Sequence, residues 1–383
     1  MKLTMKIFKK AMLPQGFIAN GVFCGLKKSG KPDLSLIYSE VSALGAIKFT
    51  SNTLPAAPIR VNNLHFKKSK LFRAIIANSG NANAFTGESG LQKAFLMAES
   101  AALGLGITKE SVLVASTGII SKPLDLEKIE SAMPELIRGL SRKGIAKAEQ
   151  AIMTTDKFPK EITVKFRISG KPVTLCAIAK GAGMISPKMA TMLVFVLTDA
   201  CVGQEVLRRC LDQAVERSFN CITVDGCMST NDTVILLANQ QAGNRKIISG
   251  KDLGSFQESL NFACLELAKM MVRDGEGSTK LIQLKVLGAA NYTEANKIAL
   301  SIANSNLFKT AMFASSPNVL GRIVAAVGAT GIAVKENALK IKYTSLKKRD
   351  VRIEVSLGRG KSDCQIYTSD LSHEYVKINA EYN

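Results

Sequence analysis

Lys180-Gly-Ala-Gly-Met-Ile-Ser-Pro-Lys-Met-Ala190-Thr191-Met-Leu-Val-Phe-Val-Leu197 is the stretch whose reading decides the fold. A glycine-rich turn feeds an apolar, β-branched run, and Thr191 stands at the junction. In one reading Thr191 is a buried strand residue. In the other, the bond between Ala190 and Thr191 is cut, and one residue then carries both a hydroxyl nucleophile and a free α-amine to deprotonate it. An α-amine titrates at roughly 8, so much of it can act as a base near neutral pH.

Working outward from this stretch, segments with strand and helix character alternate. Phe72 to Ala77 reads as a strand ending in a polar loop at Asn78-Ser-Gly-Asn-Ala-Asn-Ala. Gly90 to Leu105 has the helical period, with Leu91, Phe95, Ala98 and Ala102 on one face. Ser111 to Ser116 is a strand running into Thr117-Gly118, and Leu126 to Leu140 is a helix disturbed by Pro134. Residues 162–168 and 173–178 flank Ser169-Gly170-Lys171-Pro172 as a hairpin. Beyond Thr191, the spacing predicts a strand over 191–197, a helix over 204–219, strands over 221–224 and 233–238, and a helix over 260–271. A strand over 279–286, a helix over 294–303 and C-terminal strands from Val351 complete the pattern. Strand pairs with intervening helices predict a layered α/β architecture in which helices cover sheets. The length of 383 residues suits two domains or one large layered one.

Composition narrows the function. Hydrophobic residues make up 46% and charged residues 21% of the chain, which is a globular balance. The net charge of +20 raises the question of nucleic acid. The lysines and arginines fall in short scattered groups, there is no tryptophan, and the tyrosines do not interleave with the basic runs, so a solvated basic surface is expected rather than a nucleic-acid interface. No apolar run reaches the length that crosses a bilayer, and no membrane partner is expected. Eight cysteines without a Cys-x-x-Cys pair and a basic start without a sustained apolar region point to reduced thiols and a cytoplasmic protein.

Two histidines, His65 and His373, leave little for a zinc site or a Ser-His-Asp triad. His373 reads as an exposed strand position. Gly181-x-Gly lacks the Gly-Lys-Ser/Thr of a phosphate loop and the third glycine of a dinucleotide fingerprint. A threonine nucleophile needs no histidine.

The wording from Lys180 to Leu193 closely resembles the cleavage segment of the ornithine acetyltransferase (glutamate N-acetyltransferase) family. Asn78-Ser-Gly-Asn-Ala-Asn-Ala, Ser116-Thr-Gly, Ile152-Met-Thr-Thr-Asp, Thr223-Val-Asp-Gly, Ser229-Thr-Asn-Asp, Val272-Arg-Asp-Gly-Glu-Gly-Ser-Thr-Lys and Lys377-Ile-Asn-Ala-Glu-Tyr are similar to family segments as well, so the likeness spans nearly the whole chain. The resemblance implies an α-β-β-α sandwich of the ornithine acetyltransferase/aminopeptidase type. It implies self-cleavage at Ala190–Thr191 into chains 1–190 and 191–383, which stay together as one intertwined catalytic unit. It implies transfer of the acetyl group from N-acetylornithine to glutamate through an acetyl-Thr191 intermediate, with no metal or organic cofactor and with acetyl-CoA as an additional donor candidate, in a heterotetramer of two copies of each chain. By the same resemblance Thr117 and Gly118 form the oxyanion hole, and one of Thr154 and Thr155, together with Lys180, Thr191, Glu276 and Asn379, binds substrate. The competing readings are a self-processing aminopeptidase or amidohydrolase of related fold and a non-enzymatic basic binding protein.

Overall fold

The computed structural model describes residues 5–186 and 191–381. Along the chain these form β1 (Lys6–Phe8), β2 (Phe17–Val22), β3 (Leu34–Phe49), α1 (Ala57–Lys68), β4 (Leu71–Asn81), α2 (Gly87–Leu105), β5 (Val112–Ile119), α3 (Leu126–Arg138), α4 (Ile145–Ile152), β6 (Lys160–Ile168), β7 (Lys171–Lys180) and β8 (Leu193–Thr198). They continue with α5 (Gln204–Glu216), β9 (Ile222–Thr223), β10 (Thr233–Ala238), α6 (Gly250–Arg273), β11 (Leu281–Ala289), α7 (Tyr292–Ala303), α8 (Asn306–Phe313), α9 (Val319–Gly328), β12 (Lys340–Tyr343), β13 (Asp350–Ser356), β14 (Ser362–Ser369) and α10 (His373–Glu381). The chain divides into two compact units, residues 1–181, 188–218 and 228–267 in one, and 182–187, 219–227 and 268–383 in the other.

The first unit is built on a nine-stranded sheet in the order β1-β6-β7-β8-β10-β3-β4-β5, with β2 paired to β3. Its central strand β3 is 16 residues long. The N-terminal part of β3 pairs with β2 and β4, its C-terminal part pairs with β10, and the register with β4 breaks between Tyr38 and Ala43. The break turns one sheet into two layers that share a core. Into that core point Ile75 and Ala77 of β4, Leu113 and Ala115 of β5, Cys176 and Ile178 of β7, Leu193, Phe195 and Leu197 of β8, and Ile235 and Leu237 of β10, with Ile145, Ala148 and Ile152 of α4 among them. The opposite faces of β4 and β5 (Ala74, Ile76, Val112, Val114) pack on α1, α2 and α3 through Val61, Leu91, Met97, Ala98, Ile129 and Leu136. The other layer carries α5 and α6: Gln204 Nε2 donates to Gly45 O at 2.9 Å, and the rings of Phe166 and Phe256 lie 6.5 Å apart. The order of layers within this unit is therefore helix, sheet, sheet, helix, which the resemblance implied. Because both faces of β8 and β10 are covered, every residue of each is buried, and the strands read as continuous apolar runs rather than alternating ones.

The second unit has a five-stranded mixed sheet, β12-β13-β11-β14-β9. One face (Ile282, Leu284, Val286, Val351, Ile353, Val355, Ile366) packs on Ile298 and Ile302 of α7, Phe308 and Met312 of α8, and Ile323 and Val327 of α9. The alternation of Val351, Ile353 and Val355 with Arg352 and Glu354 is that of a strand with a single covered face.

Several boundaries differ from expectation, each for a stated reason. The strand at Phe72 does not stop at Asn78; β4 runs to Asn81, because Asn78, Ser79 and Gly80 pair with β5 and their polar side chains are satisfied inside. Thr191 lies two residues before β8 rather than in it. Pro134 sits within α3 without ending it. His373 opens α10 instead of lying in a strand, with its ring edge-on to Phe313 at 5.9 Å. His65 is buried on α1, where Nδ1 meets Val112 O at 2.8 Å. All eight cysteines are free. No helix among the described residues is long and apolar enough to cross a membrane, and no group of three or more His, Cys, Asp or Glu among them could hold a metal ion.

Candidate active site

The end of β5 carries Ser116-Thr117-Gly118. It lies in parallel register with Asn78-Ser79-Gly80 of β4, and the register slips at Asn81. Gly118 has φ +133°, and a Cβ there would lie 2.5 Å from Asn81 N and Gly80 C. Only glycine fits, so the backbone after Thr117 turns in a way no other residue would allow. Lys180, the last residue of β7, is 2% exposed, and its Nζ donates to Thr117 Oγ1 at 3.1 Å. Two residues expected in one site therefore meet directly.

Asp156 holds the backbone around Lys180. Its Oδ1 accepts from Gly181 N at 2.8 Å and its Oδ2 from Thr154 N at 2.9 Å. It also pairs with Lys160 Nζ at 2.6 Å, with both side chains fully buried. Burial alone would raise this carboxyl, but the charges of Lys160 and Lys180 outweigh it and hold Asp156 well below the usual carboxylate range. One carboxylate thus ties the Thr154–Thr155 loop, which follows α4, to the turn after Lys180. Lys27 adds to the basic cluster. Burial, with repulsion from Lys180 and Lys31, pushes its ammonium down to about 8 against the pull of Asp33 and Asp156.

Thr191 enters from the other side of the Lys180–Gly181 turn. Leu193 pairs with Lys180 across β7 and β8, and Thr233 pairs with Leu193 across β8 and β10. Thr191 has φ +20°, at the edge of the region that a β-branched residue avoids. Its Oγ1 is buried with no hydrogen-bond partner among the described residues. Its neighbour Met192 is pinned at both ends: Met192 N donates to Asp232 Oδ1 at 2.9 Å, and Met192 O accepts from Thr233 N at 3.0 Å. Burial pushes the Asp232 carboxyl up to about 7, opposed by the Met192 N–H and by Lys180. Asn231, one residue earlier, donates through Nδ2 to Ser116 O at 2.8 Å and to Ala82 O at 2.6 Å. The pair Asn231-Asp232 therefore links the backbone beside Thr117 to the backbone beside Thr191. Sequence reasoning noted the segment Ser229-Thr-Asn-Asp but assigned it no role. An Asn-Asp pair immediately before a fully apolar strand was the available signal. Ala190 and Lys188 lie outside the described residues.

The second unit holds the other two expected contacts together. Asn379 Nδ2 donates to Glu276 Oε2 at 2.9 Å and to Tyr375 O at 3.0 Å. Glu276 N donates to Ala182 O at 2.8 Å, and a Cβ on Gly183 would fall 2.3 Å from the Glu276 carboxyl carbon. The second glycine of the turn is there so that the carboxylate can lie against the backbone. Asp225 accepts from Met184 N at 2.6 Å and Ile185 N at 2.9 Å, and burial, reinforced by the Glu276 charge, raises its carboxyl. Burial raises the Tyr375 phenol, as do the charges of Asp225, Cys227 and Glu276. This cluster is acidic and suits an ammonium group, whereas the cluster around Lys180 is basic and suits a carboxylate.

A sequence model of the ArgJ family matches residues 18–383. The arginine biosynthesis bifunctional protein ArgJ of Caldanaerobacter subterraneus subsp. tengcongensis is 43% identical over 398 residues, covering 97% of this chain and 98% of that protein. The protein of the same description from Syntrophotalea carbinolica is 44% identical over 382 residues, covering 94% of this chain and 96% of that one. Among solved structures, the ornithine acetyltransferase of Mycobacterium tuberculosis complexed with ornithine is 32% identical, with a TM-score of 0.45, and covers 48% of this chain and 98% of its own.

Proposed function

We propose, from the premise that this chain belongs to the ArgJ family, a two-step acetyl transfer carried by Thr191. The chain is an acyltransferase of arginine biosynthesis. The finer reading is that the Ala190–Thr191 bond is cut by attack of the Thr191 hydroxyl on the Ala190 carbonyl. An ester forms, and water releases chains 1–190 and 191–383. In the resulting enzyme the Thr191 oxygen attacks the acetyl carbon of N-acetylornithine, and the Thr191 α-amine takes the hydroxyl proton. The negative charge that develops on the acetyl oxygen falls to donors of Thr117 and Gly118, held by the glycine-only turn at the end of β5. The C–N bond then breaks, ornithine leaves with the proton, and acetyl-Thr191 remains. Glutamate repeats the sequence in reverse and leaves as N-acetylglutamate.

Lys180 supplies a positive charge for an α-carboxylate, with Thr154 and Thr155 in the loop that Asp156 ties to it. Glu276 and Asn379 supply an acceptor and a donor for an amino-acid side chain. The processed chains work as two copies of each. The observation that carries this reading is the Thr191 hydroxyl, buried without a partner on a backbone held at φ +20°. An unsatisfied hydroxyl in a core costs stability, and here it belongs to the residue whose oxygen the proposed reaction needs free. The test is intact-mass analysis beside Thr191→Ala. Wild type is expected as two fragments that gain one acetyl group from N-acetylornithine and lose it when glutamate is added. The variant is expected as one chain without adduct. A wild-type chain that stays whole, or one that loses its acetyl group to water at the same rate with and without glutamate, sinks the proposal.

A further inference from the structure

Asp232 is fully buried, and its two carboxyl oxygens are unequally engaged. Oδ1 accepts from Met192 N at 2.9 Å, while Oδ2 has no partner among the described residues. The Thr50 and Ser229 hydroxyls both face the carboxyl and favour its charged form, although Thr50 Oγ1 donates at 2.8 Å to Ser229 O. The backbone nitrogen of Thr191 precedes that of Met192 by one residue, so covalent geometry keeps the two nitrogens within about 4 Å of each other. A buried carboxylate that already grips one amide, with its second oxygen open, therefore stands beside the atom that becomes an α-amine when the chain is cut.

We infer that Asp232 is the positioning residue for the base: its Oδ2 accepts a hydrogen from the Thr191 α-amine, which turns the amine lone pair toward Thr191 Oγ1. A neutral amine has two hydrogens and one lone pair. Committing one hydrogen to Asp232 selects the orientation in which the lone pair can take the hydroxyl proton, and the carboxylate then stabilises the ammonium that forms. This is the triad arrangement of nucleophile, base and orienting acid, assembled from a single residue and one aspartate. The charged group that faces Asp232 is Lys180 of β7; the other neighbours are the hydroxyls of Thr50 and Ser229. The same Asn231-Asp232 pair is bonded to Ser116 O, so base and oxyanion strand are held from one loop. The inference rests on the reading of Thr191 as an N-terminal nucleophile.

The experiment is single-turnover formation of acetyl-Thr191 from N-acetylornithine between pH 5 and 9, followed by intact mass, for wild type, Asp232→Asn and Asp232→Glu. Asp232→Asn is expected to lower the plateau rate about 10- to 1,000-fold with KM changed less than threefold. Its acid limb should move to lower pH, because the ammonium has lost the carboxylate that holds it. Asp232→Glu should recover part of the rate. A processed Asp232→Asn enzyme with the wild-type rate and acid limb overturns the role of Asp232 alone. A wild type that forms no adduct overturns the nucleophile, and this role with it. If Asp232→Asn stays uncut or misfolds, the wild-type enzyme decides. Cyanate labelling of the Thr191 amine should follow a two-step pH curve, the mark of a coupled amine–carboxyl pair. A single step near the ordinary α-amine value of roughly 8 overturns the pairing.

Discussion

At the scale of single residues, the site is a set of backbone atoms that only certain side chains permit. Gly118 is glycine because two backbone atoms of the neighbouring strand occupy the space of a Cβ, and Gly183 because the Glu276 carboxylate does. Lys180 is a cation held in the core by a hydroxyl and by the nearby Asp156 charge. Replacing Lys180 with methionine keeps the volume and removes the charge. Because Asp156 retains its bond to Lys160, the protein should still fold. A hydrogen bond to a charged group contributes about 1.5–3 kcal/mol, so kcat/KM for N-acetylornithine should fall roughly 10- to 150-fold, mostly through KM. Steady-state kinetics on the variant check this, and an unchanged KM would remove Lys180 from the substrate's carboxylate. Thr191, Thr117, Lys180 and Glu276 were all legible as candidates from their motifs. Lys27, Asp156 and Asp232 were not, because an acid or a lysine in a sequence carries no mark of burial or of the backbone it will bind.

At the scale of elements, the sheet does not depend on the bond proposed to be cut. Strands β8 and β10, which would belong to the second chain, lie between β7 and β3, which would belong to the first. Six residue pairs join β7 to β8 and six join β10 to β3, and both faces of β8 and β10 are buried. The two chains should therefore co-elute on size exclusion without denaturant and unfold in one transition, whereas elution as separate species would show that the sheet does not hold them. Prediction of the elements themselves succeeded where a segment had one face covered and so showed a clear period, as in α2, α5 and β13. It failed at the 16-residue β3, whose two halves face different neighbours, so that no single period runs through it. It also stopped β4 early, because Asn78-Ser-Gly-Asn carries the composition of a loop while its hydrogen bonds are those of a strand.

At the scale of the molecule, the large unit contains an acid pair, buried Glu149 and half-buried Glu161, that the proposed reaction does not use. Glu149 of α4 is 1% exposed and is pushed up to about 9, first by burial and then by Glu161. Glu161 in turn accepts from Ala11 N at 2.7 Å, which ties the N-terminal segment to β6. Because the folded value lies above the unfolded one of roughly 4.3, the stability from neutral Glu149 is complete below about 4.3 and is lost as pH rises through about 9. Glu149→Gln, which keeps the shape and cannot ionise, should gain on wild type as pH rises from 5 to 9, by a few degrees in Tm. Melting curves across that range test it, and a difference that stays flat with pH would show that Glu149 does not titrate there. The basic cluster around Lys180 lies in this unit, and the acidic cluster of Asp225 and Glu276 lies in the other.

Local patterning settled the class of fold and most of the helices, and it singled out Thr191 as the candidate nucleophile. Period, turn residues and the wording around Thr191 are properties of short segments and survive without knowledge of what packs on them. Tertiary structure alone decided that one sheet bends at β3 into two layers, and that an aspartate 41 positions after Thr191 grips the next peptide N–H. It alone decided that the basic cluster of Lys27, Asp156 and Lys180 belongs to one compact unit and the acidic cluster of Asp225 and Glu276 to the other. Those outcomes depend on contacts between residues tens to hundreds of positions apart, where burial raises or lowers a charge and closes or opens a hydrogen bond, and no local pattern records them.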